Sequence, residues 1–118
     1  MENKSFKDLE AWKKGRILVS IVYKITKNFP KEEMFGLISQ MRRCVVSVPA
    51  NIAEGLGRNT SRDTIQFLYI SRGSLYELET LLILANDQKY IDDISEVVDL
   101  LTETRKILNG LINYYSNK

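Results

Sequence analysis

Four stretches of this chain carry apolar residues at helical spacing, and only short breaks separate them. The first runs from about Phe6 to Lys27, with Leu9, Trp12, Arg16, Val19 and Tyr23 on one stripe and Leu18, Val22 and Ile25 beside it. Asn28-Phe29-Pro30 ends it, because proline cannot continue the hydrogen-bond ladder and its predecessor avoids the helical region. The second runs from about Lys31 to Glu54, with Pro30 near its first turn and Glu32 and Glu33 favourably placed against the helix dipole. The third opens at NTSRD, where Thr60 or Ser61 can cap, and continues to about Asn86 with Ile65, Leu68, Leu75, Leu78, Leu82 and Ala85. The fourth spans about Asp92 to Tyr115, with Ile94, Val97, Leu101, Leu108, Leu111 and Tyr115 on one side. Long helices joined by short turns must lie antiparallel to their neighbours. The expected fold is all-α: a single domain over residues 1–118, an up-down-up-down four-helix bundle.

Composition narrows the function classes. With 44% hydrophobic and 27% charged residues, the chain has a globular balance. It has no histidine, which removes Ser-His and Cys-His nucleophile pairs and histidine metal ligands. Its one cysteine, Cys44, cannot form an intramolecular disulfide, which fits a reducing cytoplasm. The segment MENKSFKDLEAW lacks the apolar core of a secretory signal, and no apolar run reaches the roughly 18 residues of a membrane span. The expectation is a cytoplasmic protein with no membrane contact.

The net charge of +2 is unevenly distributed. Residues 1–72 hold 13 Lys/Arg against 7 Asp/Glu, net +6, and residues 73–118 hold 4 against 8, net −4. Such a split fits a basic surface for nucleic acid, or helix faces that pair with one another as the bundle folds.

The segment SVPANIAEGLG, residues 47–57, concentrates the unusual chemistry. On a helical wheel Met34, Leu37, Met41, Val45, Val48 and Ile52 form the core stripe of the second helix. Gln40, Arg43, Ser47, Asn51 and Glu54 form a polar stripe beside it. The remaining arc, with Ser39, Arg42, Val46, Ala50 and Ala53, is mostly small or apolar, so this helix lacks a wet face and calls for a second protomer. Pro49 removes a ladder hydrogen bond, so a kink is expected there at a cost of roughly 3 kcal/mol. Gly55 or Gly57 would close the helix in the left-handed region. Gly55-Leu56-Gly57 is no phosphate cradle, since no strand precedes it and no Gly-Lys-Ser/Thr follows. Arg58, Arg62 and the free N–H groups opening the third helix could hold an anion.

The polar stripe has a catalytic and a structural reading. Arg43, Asn51, Glu54, Ser74 and Glu77 lack a candidate nucleophile, histidine or metal cluster, and the Glu-x-x-His pair of a di-iron bundle is absent. A buried network fixing helix pairing, with Arg43 and Glu77 as partners, is the expectation. No cofactor, metal or catalytic residue is expected.

The segments QMRRCVVSVPANIAEGLGR and FLYISRGSLYELETLLILA, with FKDLEAWKKG and NFPKEEMFGL, resemble the small four-helix-bundle proteins encoded by intervening sequences in 23S ribosomal RNA genes. The resemblance covers about Phe6 to Ala85. That family also includes the accessory variability protein of diversity-generating retroelements, a nucleic-acid-binding pentameric ring that works with a reverse transcriptase. The resemblance implies a homopentamer without catalytic activity, with Arg43, Ser47, Asn51, Glu54, Gly55, Gly73, Ser74 and Glu77 at fold-defining positions. The near-neutral charge departs from the strongly basic retroelement relatives and favours the ribosomal branch.

The functional expectation is a non-enzymatic oligomer associated with RNA or with a ribosomal or RNA-processing assembly. Lys13, Lys14, Arg16, Lys24 and Lys27 on the first helix, with Arg58 and Arg62 near the second turn, would contact phosphate rather than read bases. The alternative is a purely protein-binding scaffold, for a reverse transcriptase or another partner, with those charges forming a solvated face. A ligand-filled pocket lined by Glu54 and Glu77 would point instead to an enzyme.

Overall fold

The computed structural model describes residues 5–118. Four helices, α1 (Glu10–Thr26), α2 (Ser39–Leu56), α3 (Ser61–Asp87) and α4 (Ser95–Ser116), account for most of them. Helix α1 packs on α2 and α4, and α3 packs on the same two, so successive helices are neighbours and the chain closes a four-helix bundle. The body measures 46 × 24 × 19 Å. At about 1.5 Å per residue, α3 spans most of that length.

The ends of the helices follow local chemistry. Before α1, the Lys7 amide donates to Ser5 Oγ (3.1 Å) and the Ser5 amide to Asp8 Oδ2 (3.2 Å), a capping box that closes a short 3₁₀ turn over Phe6–Asp8. Thr60 caps α3 by accepting from the Asp63 amide at 3.1 Å, as the sequence suggests. Past the C-terminus of α3, Lys89 takes a left-handed conformation (φ 65°). Its amide donates to the Asn86 carbonyl and the Tyr90 amide to that of Ala85, both at 3.0 Å, a Schellman closure built on lysine instead of glycine. Helix α4 begins at Ser95 rather than Asp92, because the Asp93 carboxylate accepts from the Ser95 amide (2.8 Å) and holds the preceding residues in a turn. That hydrogen bond also lowers the Asp93 pKa.

The expected second helix is interrupted early. Lys31–Glu33 form a 3₁₀ turn and Met34–Ile38 a wide π turn, inside which Gly36 departs from helical angles (φ −111°, ψ −116°). Glu33 Oε1 accepts from the Leu37 amide (3.1 Å), and Glu33 Oε2 accepts from the Tyr90 hydroxyl (2.9 Å). One carboxylate thus pins the α1–α2 connection to the α3–α4 connection, beside buried Phe29 stacked on Tyr90. The break resets the helical phase. Met34 is consequently exposed, while Ile38, Met41, Cys44, Val45, Val48 and Ile52 are buried. Helix α2 continues through Pro49, and the kink expected there is not confirmed; the non-helical residue of this segment is Gly36.

Two further expectations are corrected by close helix contacts. The buried stripe of α1 is Ala11, Gly15, Leu18, Val22 and Thr26, while Arg16 and Tyr23 face solvent. The reason is Gly15: a Cβ there would lie 3.2 Å from Val48 Cγ1 and 3.4 Å from Pro49 Cδ, so small residues let α1 meet α2 around the proline ring. Gly57 ends α2 in the right-handed region (φ −85°), and no glycine takes a positive φ among the described residues. Gly55 lies within the helix, where a Cβ would sit 3.0 Å from the Thr64 carbonyl oxygen and 3.1 Å from Phe67 Cβ. It is a contact glycine, not a cap.

Candidate functional site

The seam between α2 and α3 joins small polar side chains to backbone. Thr64 Oγ1 donates to the Gly55 carbonyl and Ser71 Oγ to that of Val48, both buried and 2.8 Å long. Ser47 and Ser74 share a 2.7 Å hydrogen bond, and Asn51 Nδ2 donates to the Ser47 carbonyl (2.8 Å) and Oγ (2.9 Å). The Cys44 thiol donates to the Ser74 carbonyl at 3.1 Å. Ser47, Asn51 and Ser74 therefore do form a network that ties the pairing of α2 and α3.

Arg43, Glu54 and Glu77 stand outside that network. All three are exposed, and no ion pair joins Arg43 to Glu77 among the described residues. Glu54 instead pairs with Arg58 one turn on, at 2.8 Å. The expectation of a buried Arg43–Glu77 pair is overturned: the two side chains belong to the rim of an open pocket of about 330 Å³, with Gln40, Cys44, Ser47 and Ser74. Burial, aided by the negative charge of nearby Glu77, pushes the Cys44 thiol up to about 12. At neutral pH it is a protonated donor rather than a nucleophile. Gly73, expected among the fold-defining positions, is exposed, and a Cβ there would meet nothing within 4 Å.

The basic residues divide into two sets. Lys13, Arg16, Lys24 and Lys27 are exposed, and their spacing places them along one face of α1. Lys13 lies 3.5 Å from Glu10 in a solvent-screened contact, and Arg16 stacks over Trp12 at 5.5 Å. Lys14 turns the other way, reaching Glu103 of α4 at 2.7 Å, and this partner raises its pKa. Arg58 is held by Glu54 and lies over the Phe67 ring at 4.5 Å, whereas Arg62 is exposed at the start of α3. The structure thus places four of the seven candidate phosphate contacts on one stripe, with Lys14 and Arg58 already neutralised within the chain.

One feature escaped the sequence reasoning. Between Asp63 and Asp87 the exposed positions of α3 are Gln66, Tyr69, Ile70, Gly73, Tyr76, Glu77, Thr80, Ile83 and Leu84, and only Glu77 is charged. Ile70 is 52% exposed and Tyr76 54%. The signal was available as apolar residues recurring every seven positions (69/70, 76, 83/84) in addition to the core stripe of the same helix. Helix α2 carries a narrower bare strip, Val46 and Ala50, which opens into an apolar groove against α1 lined by Trp12, Val19, Pro49 and Ala53. The shortage of wet surface expected of α2 is more pronounced on α3.

Among the described residues no group of three or more His, Cys, Asp or Glu side chains could hold a metal ion, and no helix is long and apolar enough to cross a membrane. The sequence profile of the family described as 23S rRNA-intervening sequence protein matches residues 7–110. No curated protein matches the chain.

Proposed function

Since the chain belongs to the 23S rRNA-intervening sequence protein family, we propose that it is a non-enzymatic, oligomeric, cytoplasmic protein that associates with ribosomal RNA through the outer face of α1. The observation that carries this reading is the stripe of Lys13, Arg16, Lys24 and Lys27. These exposed cations have no strong intrachain partner among the described residues. Charges that a fold leaves solvated on one side can exchange condensed counterions for phosphate contacts. Arg62 extends the same character to the end of the bundle where α3 begins. Oligomerisation, with a pentamer as the state implied by the family resemblance, would repeat the stripe and multiply a weak contact by avidity.

The test is binding of a fluorescently labelled structured fragment of 23S ribosomal RNA at roughly 50 mM salt, where such contacts are strong. Wild-type protein should bind, and Lys24→Glu with Lys27→Glu should lose binding at unchanged helicity and mass. Absence of wild-type binding would remove the RNA reading. The bare outer face of α3 favours a second reading, a protein-binding scaffold, which would then take its place.

A further inference from the structure

We infer that the pocket between α2 and α3 binds a free α-amino acid, holding its carboxylate on Arg43 and its ammonium group on Glu77. This goes beyond the RNA reading and does not depend on it. The pocket is open, about 330 Å³ in volume, and polar: α2 supplies Gln40, Arg43, Cys44 and Ser47, and α3 supplies Ser74 and Glu77. That volume lies at the lower end of the range for small-molecule sites.

Two full charges of opposite sign line this pocket from different helices, and the fold uses neither. Arg43 and Glu77 are exposed and make no ion pair among the described residues. Their own helices offer no partner. Ser39, Gln40, Val46 and Ser47 lie one turn from Arg43, and Gly73, Ser74, Thr80 and Leu81 one turn from Glu77. Other exposed acids of the bundle do find a cation, as Glu54 does in Arg58 and Glu103 in Lys14.

The pocket also holds a spare hydrogen-bond donor. Ser47 and Ser74 have two hydroxyl protons between them, and their 2.7 Å bond uses one. Ser47 Oγ further accepts from Asn51 Nδ2, and among the described residues no acceptor takes the second proton. The other buried hydroxyls, those of Thr26, Thr64, Ser71 and Thr104, each donate to a backbone carbonyl. The unused O–H is thus left to an anionic group held by Arg43.

These charges define the ligand. Glu77 repels a lone anion, phosphate included, and Arg43 repels a lone cation. A small zwitterion satisfies both at once. The carboxylate oxygens of an α-amino acid match the planar guanidinium fork, and its ammonium hydrogens match a carboxylate. A peptide carries these two groups at opposite ends, so the free amino acid is the form that fits. The open mouth leaves its side chain in solvent, and the site selects the head group. Cys44 directs its thiol at the Ser74 carbonyl (3.1 Å), so the pocket offers charge and hydrogen bonds without a nucleophile.

Saturation-transfer NMR on the full chain tests the assignment with L-alanine, and with propionate and ethylamine as probes that carry one charge each. Wild type should bind L-alanine with a Kd on the order of 1 mM, the range for a small ligand in an open pocket, and each single-charge probe about tenfold more weakly. Arg43→Gln and Glu77→Gln should each weaken L-alanine binding about tenfold through loss of one charge-assisted contact. Both positions are exposed, so circular dichroism should report unchanged helicity. No L-alanine binding by wild type would overturn the site. So would propionate or ethylamine binding as well as L-alanine, which would mean recognition of a single charge, or an unchanged affinity in either variant. None of these results bears on RNA binding through α1, which rests on other residues.

Discussion

Gly55→Ala and Gly73→Ala make the same chemical change in two helices and should shift stability in opposite directions. Replacing a helical glycine with alanine gains about 1 kcal/mol from backbone propensity where nothing obstructs the methyl group. Nothing obstructs it at Gly73, so that variant should be stabilised by about that amount. At Gly55 the methyl carbon would lie 3.0 Å from the Thr64 carbonyl oxygen, a backbone atom that cannot swing away, and 3.1 Å from Phe67 Cβ. Overpacking of this kind costs about 1–3 kcal/mol. Separating α2 from α3 to relieve it would also stretch the buried 2.8 Å bond from Thr64 Oγ1 to the Gly55 carbonyl, worth about 1 kcal/mol. The sum is a net loss of about 1–3 kcal/mol for Gly55→Ala, and the two variants should differ by about 2–4 kcal/mol. Urea unfolding followed by circular dichroism at one fixed protein concentration measures this. Shifts of both midpoints in one direction would refute the assignment of Gly55 to a helix contact and of Gly73 to open surface.

Cys44, held protonated to about pH 12 against 9.0 for a free thiol, should react with a thiol reagent about a thousandfold more slowly in the folded than in the unfolded chain below pH 9, the three-unit difference expressed as thiolate fraction. The folded pKa is the higher one, so the unfolded chain loses this proton first. Stability should fall as pH rises above about 9, and Cys44→Ala should flatten that fall in alkaline unfolding curves. Lys89→Gly relieves a left-handed lysine and should raise the urea midpoint by an amount equivalent to about 1 kcal/mol; an unchanged midpoint would show that the turn is not strained. Arg43→Ala should change stability by less than about 0.5 kcal/mol, because the exposed guanidinium has no ion pair among the described residues; a loss of several kcal/mol would mean that it is buried.

The number, order and antiparallel arrangement of the helices were legible because the apolar repeats and breaks are local signals. The cores of α3 and α4 were mostly legible for the same reason: Leu68, Leu75, Leu78, Leu82, Val97, Leu101 and Leu108 are all buried. The stripe of α1 was misplaced because its contact with α2 is made through Gly15, and hydrophobic bulk does not reveal where two backbones approach. The phase of the second segment was lost at Gly36, since a wheel assumes a continuous helix and Met34 lies before the break. Of the polar stripe, Ser47, Asn51 and Ser74 lie together as expected, being short enough to bond across the seam. Arg43 and Glu77 are long and reach past it to solvent. Pairing is also invisible in a list of cations: Lys14 and Lys13 are sequence neighbours, yet only Lys14 faces the α4 carboxylate.

The salt dependence of RNA binding reports directly on phosphate recognition by α1. Each phosphate contact contributes about 0.7–0.9 to the slope of log affinity against log salt. Four contacts per bound protomer, from Lys13, Arg16, Lys24 and Lys27, predict a slope of about −3 for wild type with a structured 23S ribosomal RNA fragment. Lys24→Glu/Lys27→Glu should make it shallower by about 1.5 or abolish binding. A wild-type affinity that does not change with salt, or the same steep slope in the variant, would contradict phosphate recognition by α1.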